Sequence, residues 1–206
     1  MLDVADLLSV ALAFFVVTAS PGPANIALAT VSMSAGRRSG MLFGAGLSIG
    51  LAFWGVVAAT GLGALLQSSV YLLGAVKIAG GLYLLWLAIR SARSALEPKD
   101  AAPGAAREGR WFRRGLILNL SNPKAVVAWM AALSMGLGTG DGAAQVIAAT
   151  LICVALGFLN YTAHAMAFSL SGAMTAYRRA RRWIDGAVAG LFAVAGLGLI
   201  RSAWAR

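Results

Sequence analysis

Three long stretches of the chain contain no Asp, Glu, Lys or Arg: residues 7–36, 39–76 and 142–177. Each is longer than the roughly 20 apolar residues that an α-helix needs to cross a bilayer. Charged or helix-breaking residues divide the apolar sequence into six segments, which we predict to be membrane-spanning helices. Their approximate bounds are 7–34, 41–66, 70–89, 115–137, 143–170 and 183–204. The pattern therefore predicts an all-α integral membrane protein.

The composition supports this prediction and excludes an ordinary soluble domain. Hydrophobic residues make up 60% of the 206 residues, charged residues only 12%, and the mean hydropathy is +0.80. A soluble domain carries about twice that charged fraction. The single cysteine, Cys153, lies in an apolar stretch, so neither an intrachain disulfide nor a cysteine metal cluster is expected.

The formal net charge of +10 is distributed unevenly along the chain. Most of the 17 Lys and Arg residues lie in the connections after the first, third and fifth spans, above all in the basic loop 90–114. Short loops rich in Lys and Arg remain in the cytoplasm, so we predict cytoplasmic basic loops and both termini outside. So apolar a chain has no polar face for nucleic acid, and no nucleic-acid partner is expected.

The two halves of the chain share sequence features. The third and sixth spans both contain Gly-Ala-Val, at residues 74–76 and 186–188, and Ile-Arg-Ser-Ala, at residues 89–92 and 200–203. We predict a single membrane domain, 1–206, built from two repeats. The repeats cover residues 1–95 and 110–206. Because each repeat has an odd number of spans, the second is inverted relative to the first, a recurring plan of secondary transporters.

Proline interrupts the first and fourth spans at matching places. Ser-Pro-Gly-Pro occupies residues 20–23, and Ser-Asn-Pro-Lys occupies residues 121–124. Proline removes a backbone donor and clashes with the preceding helical turn, so we predict that both spans are broken there. The amides and the positive dipole end of the following half-helix can hold an anion such as a carboxylate. The alternative is a packing kink without a ligand.

The candidate substrate-binding or gating residues lie at these two breaks. Asparagines beside the prolines add neutral hydrogen-bonding groups. Lys124 lies either in a cavity near the break or at the cytoplasmic end of the span, where a lysine snorkels to the interface. The full candidate set is Pro21, Gly22, Pro23, Asn25, Asn119, Asn122, Pro123 and Lys124.

Other polar and small residues in the spans bear on coupling, cargo and packing. His164, in the fifth span, is a candidate for proton coupling because histidine changes charge near neutral pH; the alternative is a hydrogen-bonded packing histidine. We expect no Asp or Glu within the spans, which favours a neutral zwitterionic or anionic cargo over a cation or a divalent metal. Glycines permit close helix approach. They include Gly46, Gly81, Gly190, Gly196 and Gly198.

These motifs together resemble those of the LysE/RhtB family of amino-acid exporters. The resemblance is carried by Ser-Pro-Gly-Pro at 20–23, Gly-Gly-Leu-Tyr-Leu-Leu-Trp-Leu-Ala at 80–88, Phe-Arg-Arg-Gly at 112–115, and Leu-Asn-Leu-Ser-Asn-Pro-Lys at 118–124. It implies an inner-membrane exporter of amino acids or small derivatives, driven by the proton-motive force, with the proline motifs as gating and binding breaks. Some members carry acidic residues in the spans where this chain has neutral ones, which disfavours lysine or arginine as cargo.

The resulting hypothesis is a secondary exporter of a neutral amino acid. The half-helix amides and Lys124 hold the carboxylate, while Asn25, Asn119 or freed carbonyls hold the ammonium. A metal-cation transporter expects clustered acidic, Cys or His ligands, and an enzyme expects a nucleophile with a base or paired carboxylates. A scaffold needs no pair of matching breaks. We expect no catalytic residues, cofactor or metal; the expected partners are the amino acid, the lipid bilayer and, in a homodimer, a second copy.

Overall fold

The apolar segments form helices throughout the part of the chain that the computed structural model describes, which is residues 3–68, 70–96, 110–136, 142–170 and 172–204. These residues contain eight helices and no strand, so the predicted all-α class is confirmed. The helices are α1 (Val4–Ala19), α2 (Pro23–Ser34), α3 (Gly36–Ser68), α4 (Val70–Leu96), α5 (Trp111–Leu120), α6 (Pro123–Gly136), α7 (Ala143–Ala167) and α8 (Ala173–Trp204). Most of the predicted basic loop 90–114 lies outside the described residues.

Three helices are long and apolar enough to cross a membrane: Gly36–Gly61 in α3, Ala143–Ala167 in α7 and Arg179–Ala203 in α8. The bent pairs α1–α2 and α5–α6 each qualify as one further span, which gives up to five in the described residues. The third predicted span corresponds to α4, which is not among the helices that meet this criterion. A multi-pass membrane protein is supported, and the sixth span and the inverted repeat remain predictions.

Local chemistry sets the helix ends near the first span. The Asp3 carboxylate caps α1, its Oδ1 accepting from the N–H groups of Ala5 at 2.9 Å and Asp6 at 3.3 Å. After α2, Gly36 adopts a left-handed backbone with φ of 80°, a conformation that glycine reaches without a steric penalty. This glycine lets α3 begin almost directly where α2 ends.

The helices enclose two apolar clusters. The larger one joins α1, α2, α3, α6 and α7 around Trp129. The ring centroids of Trp129 and Phe14 are 4.4 Å apart, and Nε1 of Trp129 donates to the Leu51 carbonyl at 2.8 Å. The smaller one joins α4 and α8 to α1 and α6, with Leu84 and Phe192 buried in it. Because lipid is as apolar as leucine, such packing and hydrogen bonds, rather than exclusion from water, hold membrane helices together.

Glycines bring α3 and α5 into backbone contact. A Cβ atom on Gly46 would collide with the carbonyl oxygen of Phe112, and a Cβ on Gly115 would collide with the carbonyl oxygen of Phe43. The contact is reciprocal, so neither glycine can be replaced by a larger residue without moving a helix. The predicted packing role of Gly46 is confirmed.

A second reciprocal contact joins α4 and α8. A Cβ atom on Gly81 would lie 2.8 Å from the carbonyl oxygen of Gly196, and a Cβ on Gly196 would lie 2.8 Å from that of Gly81. Gly190 and Gly198, also on α8, have no atom within 4 Å of their Cβ positions. The packing prediction therefore holds for Gly81 and Gly196 and is wrong within this chain for Gly190 and Gly198.

The expectation that the spans contain no acidic side chain is wrong at Asp185. This residue lies in α8, within the segment Arg179–Ala203, and is only 2% exposed. Its Oδ2 lies 3.4 Å from Nε of Arg181, one turn earlier, and Nη2 of Arg181 donates to the Ser94 hydroxyl on α4 at 2.8 Å. An arginine one turn away compensates the charge of a buried carboxylate near the end of a span. Because the spans do contain an acidic residue, the expectation that they contain none no longer bears on the cargo.

This ion pair predicts an order of stability between two variants. We expect Arg181→Leu to lower the free energy of unfolding by about 3 kcal/mol, because it leaves the buried Asp185 carboxylate without a counter-charge. Asp185→Leu costs only about 1 kcal/mol, since the Arg181 side chain is 23% exposed and keeps its bond to Ser94. Thermal unfolding of the purified variants in detergent measures the difference. A larger loss for Asp185→Leu would contradict this description of the pair.

Candidate functional site

The two proline motifs separate half-helices. Between α1 and α2 the helix direction changes by 56° across Ser20, Pro21 and Gly22, and Gly22 has an extended backbone. The α5–α6 pair bends by more than 40° at Ser121 and Asn122. Pro23 and Pro123 each begin the second half-helix, where a missing N–H leaves no intrahelical bond unmade.

Lys124 connects the second break to the first. Its Nζ donates to the Ser20 carbonyl oxygen at 3.0 Å and to the Ser20 hydroxyl at 2.5 Å. Ser20 is 1% exposed, and its hydroxyl in turn donates to the Val17 carbonyl at 2.7 Å. The ammonium also lies against Gly22, where a Cβ atom would be 2.9 Å from it. The structure thus places Lys124 across the first break and not in a snorkelling position.

Side-chain amides pair with two of the carbonyls that the first break frees. The Nδ2 group of Asn25 donates to the carbonyls of Thr18 at 2.8 Å and Ser20 at 2.9 Å, and Asn160 of α7 donates to Thr18 at 3.3 Å. Asn25 is buried, and its Oδ1 has no hydrogen-bond partner. This unpaired acceptor is a distinctive feature of the first break, because buried polar atoms are nearly always paired.

The two asparagines of the second break have structural partners. Asn119 is completely buried, and its Nδ2 donates to the Leu47 carbonyl at 2.6 Å and to the Tyr161 hydroxyl at 3.3 Å, which ties α5 to α3 and α7. Its Oδ1 accepts from Asn122 at 3.3 Å, and Asn122 caps α6 by accepting from the Lys124 N–H at 3.1 Å. Both side chains therefore contribute to holding the second break in shape.

A cavity lies between the two breaks. Its polar lining comes from Thr18, Asn25, Asn122, Lys124 and Tyr161, and residues such as Val17, Leu51 and Ala128 form its apolar wall. The cavity volume is about 20 Å³, which suffices for about one water molecule. An amino acid does not fit within this volume.

His164 is not brought to this cavity. Its Nδ1 lies 2.9 Å from the carbonyl oxygen of Asn160, one turn earlier in α7, and its ring stacks on Phe168 with centroids 6.0 Å apart. The residue is half-buried and absent from the cavity lining. The geometry is that of a hydrogen-bonded packing histidine, and a role in proton coupling remains a prediction.

The structure adds Ser20, Thr18 and Tyr161 to the residues expected from the sequence. Ser20 belongs to the Ser-Pro-Gly-Pro motif, and a serine directly before a helix break is a detectable signal for a polar contact. Tyr161 lies beside Asn160 in an apolar stretch. No local sequence signal indicates that it reaches the cavity, because that depends on how α7 packs against the breaks.

The family described as LysE type translocator matches residues 15–203. This chain belongs to that family. The predicted resemblance is confirmed, and the protein is a translocator and not an enzyme.

Relatives named as efflux proteins match half of the chain or more. A threonine efflux protein of Salmonella typhi is 33% identical over 199 residues, covering 94% of this chain and 97% of the relative. A threonine efflux protein of Escherichia coli is 32% identical over 202 residues, covering 95% and 97%. A homoserine/homoserine lactone efflux protein of Salmonella typhimurium is 38% identical over 116 residues, covering 55% of each chain. No solved structure matches the chain significantly.

The contacts of Asn119 predict a loss of stability without a change in substrate affinity. Asn119→Leu removes the hydrogen bonds to the Leu47 carbonyl and the Tyr161 hydroxyl, and we expect it to lower the free energy of unfolding by about 2 kcal/mol. Because Asn119 does not line the cavity, the KM of the remaining folded protein for its cargo stays within about twofold. Thermal unfolding and initial transport rates measure both quantities. A raised KM at unchanged stability would place Asn119 in the binding site.

Proposed function

We propose that this LysE-type translocator is a secondary active exporter of neutral amino acids or small amino-acid derivatives, built as two inverted three-helix repeats. The observation that carries the proposal is the small polar cavity between two broken helices, where Lys124 reaches across to Ser20. In this proposal, the arrangement with Lys124 on Ser20 is the closed state of the site. Broken helices facing each other across a buried polar cavity are the usual substrate site of such transporters.

The proposed cargo class follows from the lining and from the relatives. Threonine, homoserine and homoserine lactone, which the names of the relatives mention, have uncharged side chains and a primary amine. Lys124 is the charged residue among the described residues that line the cavity, and Thr18 and Tyr161 add hydroxyl groups. A single positive charge with neutral polar groups favours a zwitterion over a cargo with a second positive charge.

The amino end of α2 is the proposed carboxylate site. No side chain caps this helix end, whereas Asn122 already caps α6. The first-turn amides of α2 and its positive dipole end are therefore available to an anion, with the Lys124 ammonium beside Gly22. The incoming carboxylate replaces Ser20 as the partner of the Lys124 ammonium.

Movement of one repeat against the other then exposes the cavity to alternate sides. In this proposal the half-helices separate when Lys124 leaves Ser20, and they close again around the next bound species. Export runs from the cytoplasm, where the basic loops lie, to the outside, where both termini lie. We further propose an inner-membrane location, coupling to protons, and assembly as a monomer or homodimer.

Proton coupling through His164 has its own test. If His164 carries the proton, His164→Ala abolishes the pH dependence of transport, because no other histidine is present in the sequence. Initial export rates from proteoliposomes between pH 5.5 and about 8 give the two profiles, with the unsubstituted protein as the control. An unaltered pH profile in the variant would remove His164 from the mechanism.

Radiolabelled counterflow in proteoliposomes tests the proposed function. The protein is reconstituted, the vesicles are loaded with one amino acid, and exchange is followed across neutral, basic and acidic amino acids. We expect exchange of L-threonine and other small neutral amino acids, and none of lysine, glutamate or a Mn²⁺ control. Exchange of the metal alone, or no amino-acid exchange by protein shown to be folded, would overturn the proposal.

A further inference from the structure

The orientation of the Asn25 amide is determined by its neighbours. Its Nδ2 group lies 2.8 Å from the Thr18 carbonyl oxygen and 2.9 Å from that of Ser20. The reversed orientation would set an oxygen against two oxygens, so the nitrogen must face the carbonyls. The Oδ1 atom is then left buried without a hydrogen-bond partner on a residue that is 7% exposed and lines the cavity.

Other acceptors near the two breaks already have donors. The Ser20 carbonyl accepts from Asn25 and from Lys124, and the Thr18 carbonyl accepts from Asn25 and from Asn160. The Oδ1 of Asn119 accepts from Asn122. Among the buried side-chain oxygens that line the cavity in the described structure, Asn25 Oδ1 is the one without a hydrogen-bond partner. A buried acceptor without a donor lowers the stability of the fold. A donor group that binds to it during the transport cycle would offset that cost.

We propose that Asn25 Oδ1 is the specificity-determining acceptor for the primary ammonium of the cargo, so that the transporter requires an amine and rejects otherwise matched carboxylates. This inference rests on the proposed function, since it assumes an amino acid in the cavity. Donation by Nδ2 to two carbonyls increases the negative charge on Oδ1 and strengthens it as an acceptor.

A neutral acceptor also suits the position next to Lys124. Asn25 and Lys124 donate to the same oxygen, the Ser20 carbonyl. An aspartate at position 25 would form an ion pair with the Lys124 ammonium and remove its charge from the cavity. With an amide instead, Lys124 stays available for the cargo carboxylate while Oδ1 receives the ammonium.

Competition against radiolabelled L-threonine counterflow tests the inference. Two analogues each lack one charged group: 3-hydroxybutanoate lacks the amine, and L-threoninamide lacks the carboxylate. We expect 3-hydroxybutanoate to compete at least about tenfold more weakly than unlabelled L-threonine in the unsubstituted protein, because it leaves Oδ1 unpaired. If 3-hydroxybutanoate competed as well as unlabelled L-threonine, the inference would be overturned, while amino-acid export would stand.

The variant Asn25→Ala separates recognition from folding. We expect its KM for L-threonine and its inhibition constant for L-threoninamide to rise at least about tenfold, while the inhibition constant for 3-hydroxybutanoate changes less than about twofold. Asn160→Ala is the matched control, since it also removes a donor to the Thr18 carbonyl and leaves Oδ1 in place. We expect Asn160→Ala to lower the stability of the protein without changing the ratio of the inhibition constants of the two analogues.

The outcomes distinguish the inference from the proposed function. An equal loss for all three compounds in Asn25→Ala would mean that Asn25 only holds the break in shape, and the inference would fail. Absence of L-threonine counterflow in the unsubstituted protein, with no other amino acid exchanged, would overturn the proposed function together with the inference.

Discussion

Replacement of Lys124 by methionine lowers the initial rate of amino-acid export from proteoliposomes by about 10- to 100-fold. Hydrogen bonds to a charged group contribute about 1.5–3 kcal/mol, and Lys124 makes two to Ser20 in the closed site. In the proposed cycle the same ammonium then binds the cargo carboxylate, so the variant loses both the closed-state contact and the attraction for cargo. Methionine is one atom shorter than lysine, so it keeps most of the unbranched apolar side chain and removes the charged group.

Lys77→Met is the matched control for this variant. Lys77 is a half-buried lysine on α4 that does not line the cavity. Its replacement removes the same charge, and we expect its export rate to stay within about twofold of the unsubstituted protein. Equal rates for Lys124→Met and the unsubstituted protein, at equal amounts of inserted protein, would remove Lys124 from the transport mechanism.

Gly46→Val lowers the free energy of unfolding by about 3 kcal/mol and reduces the yield of monodisperse protein. The added side chain collides with the Phe112 carbonyl oxygen and comes within 2.8 Å of the Leu116 N–H, both of which are backbone atoms of α5. Backbone cannot rotate away as a side chain can, so α5 must shift, and overpacking of this kind costs about 1–3 kcal/mol or more. Since α5 carries Asn119 to the second break, transport also falls.

Gly61→Val provides the comparison on the same helix. Gly61 lies in α3 and has no atom within 4 Å of its Cβ position. Gly61→Val changes the helix propensity by the same amount as Gly46→Val but causes no collision. We expect its thermal unfolding midpoint in detergent to be close to that of the unsubstituted protein. A similar loss of stability in both variants would show that the close contact between α3 and α5 is not what Gly46 provides.

Features that depend on local chemistry were predictable from the sequence. The helices follow from long apolar stretches, and the positions of both breaks follow from Pro21, Pro23 and Pro123, because proline disrupts a helix wherever it occurs in the interior. The family resemblance also rests on these local motifs. These local motifs therefore indicate where the cavity lies in the chain, though not its inner arrangement.

Features that depend on tertiary packing were not predictable. The sequence left open whether Lys124 lies at the membrane interface or at the break, and only the position of α6 relative to α1 brings it to Ser20. Asn25 and Asn119 were equivalent candidates, yet the packing of α3 and α7 gives Asn119 its partners and leaves Asn25 Oδ1 unpaired. The expectation of no acidic residue in the spans was wrong from the sequence itself, since Asp185 lies within the predicted span 183–204; the structure adds its burial and its pairing with Arg181.

The central claim is that the cavity between the two breaks holds the exported amino acid. Its most direct test is substrate protection at Ala128, a wall residue of the cavity. Ala128→Cys is introduced together with Cys153→Ala, which removes the natural cysteine. The rate of maleimide modification is then measured in proteoliposomes with and without L-threonine. We expect L-threonine to slow modification several-fold and lysine and glutamate to leave the rate unchanged. An unchanged rate with L-threonine, in protein that still exchanges it, would contradict the proposed cargo site.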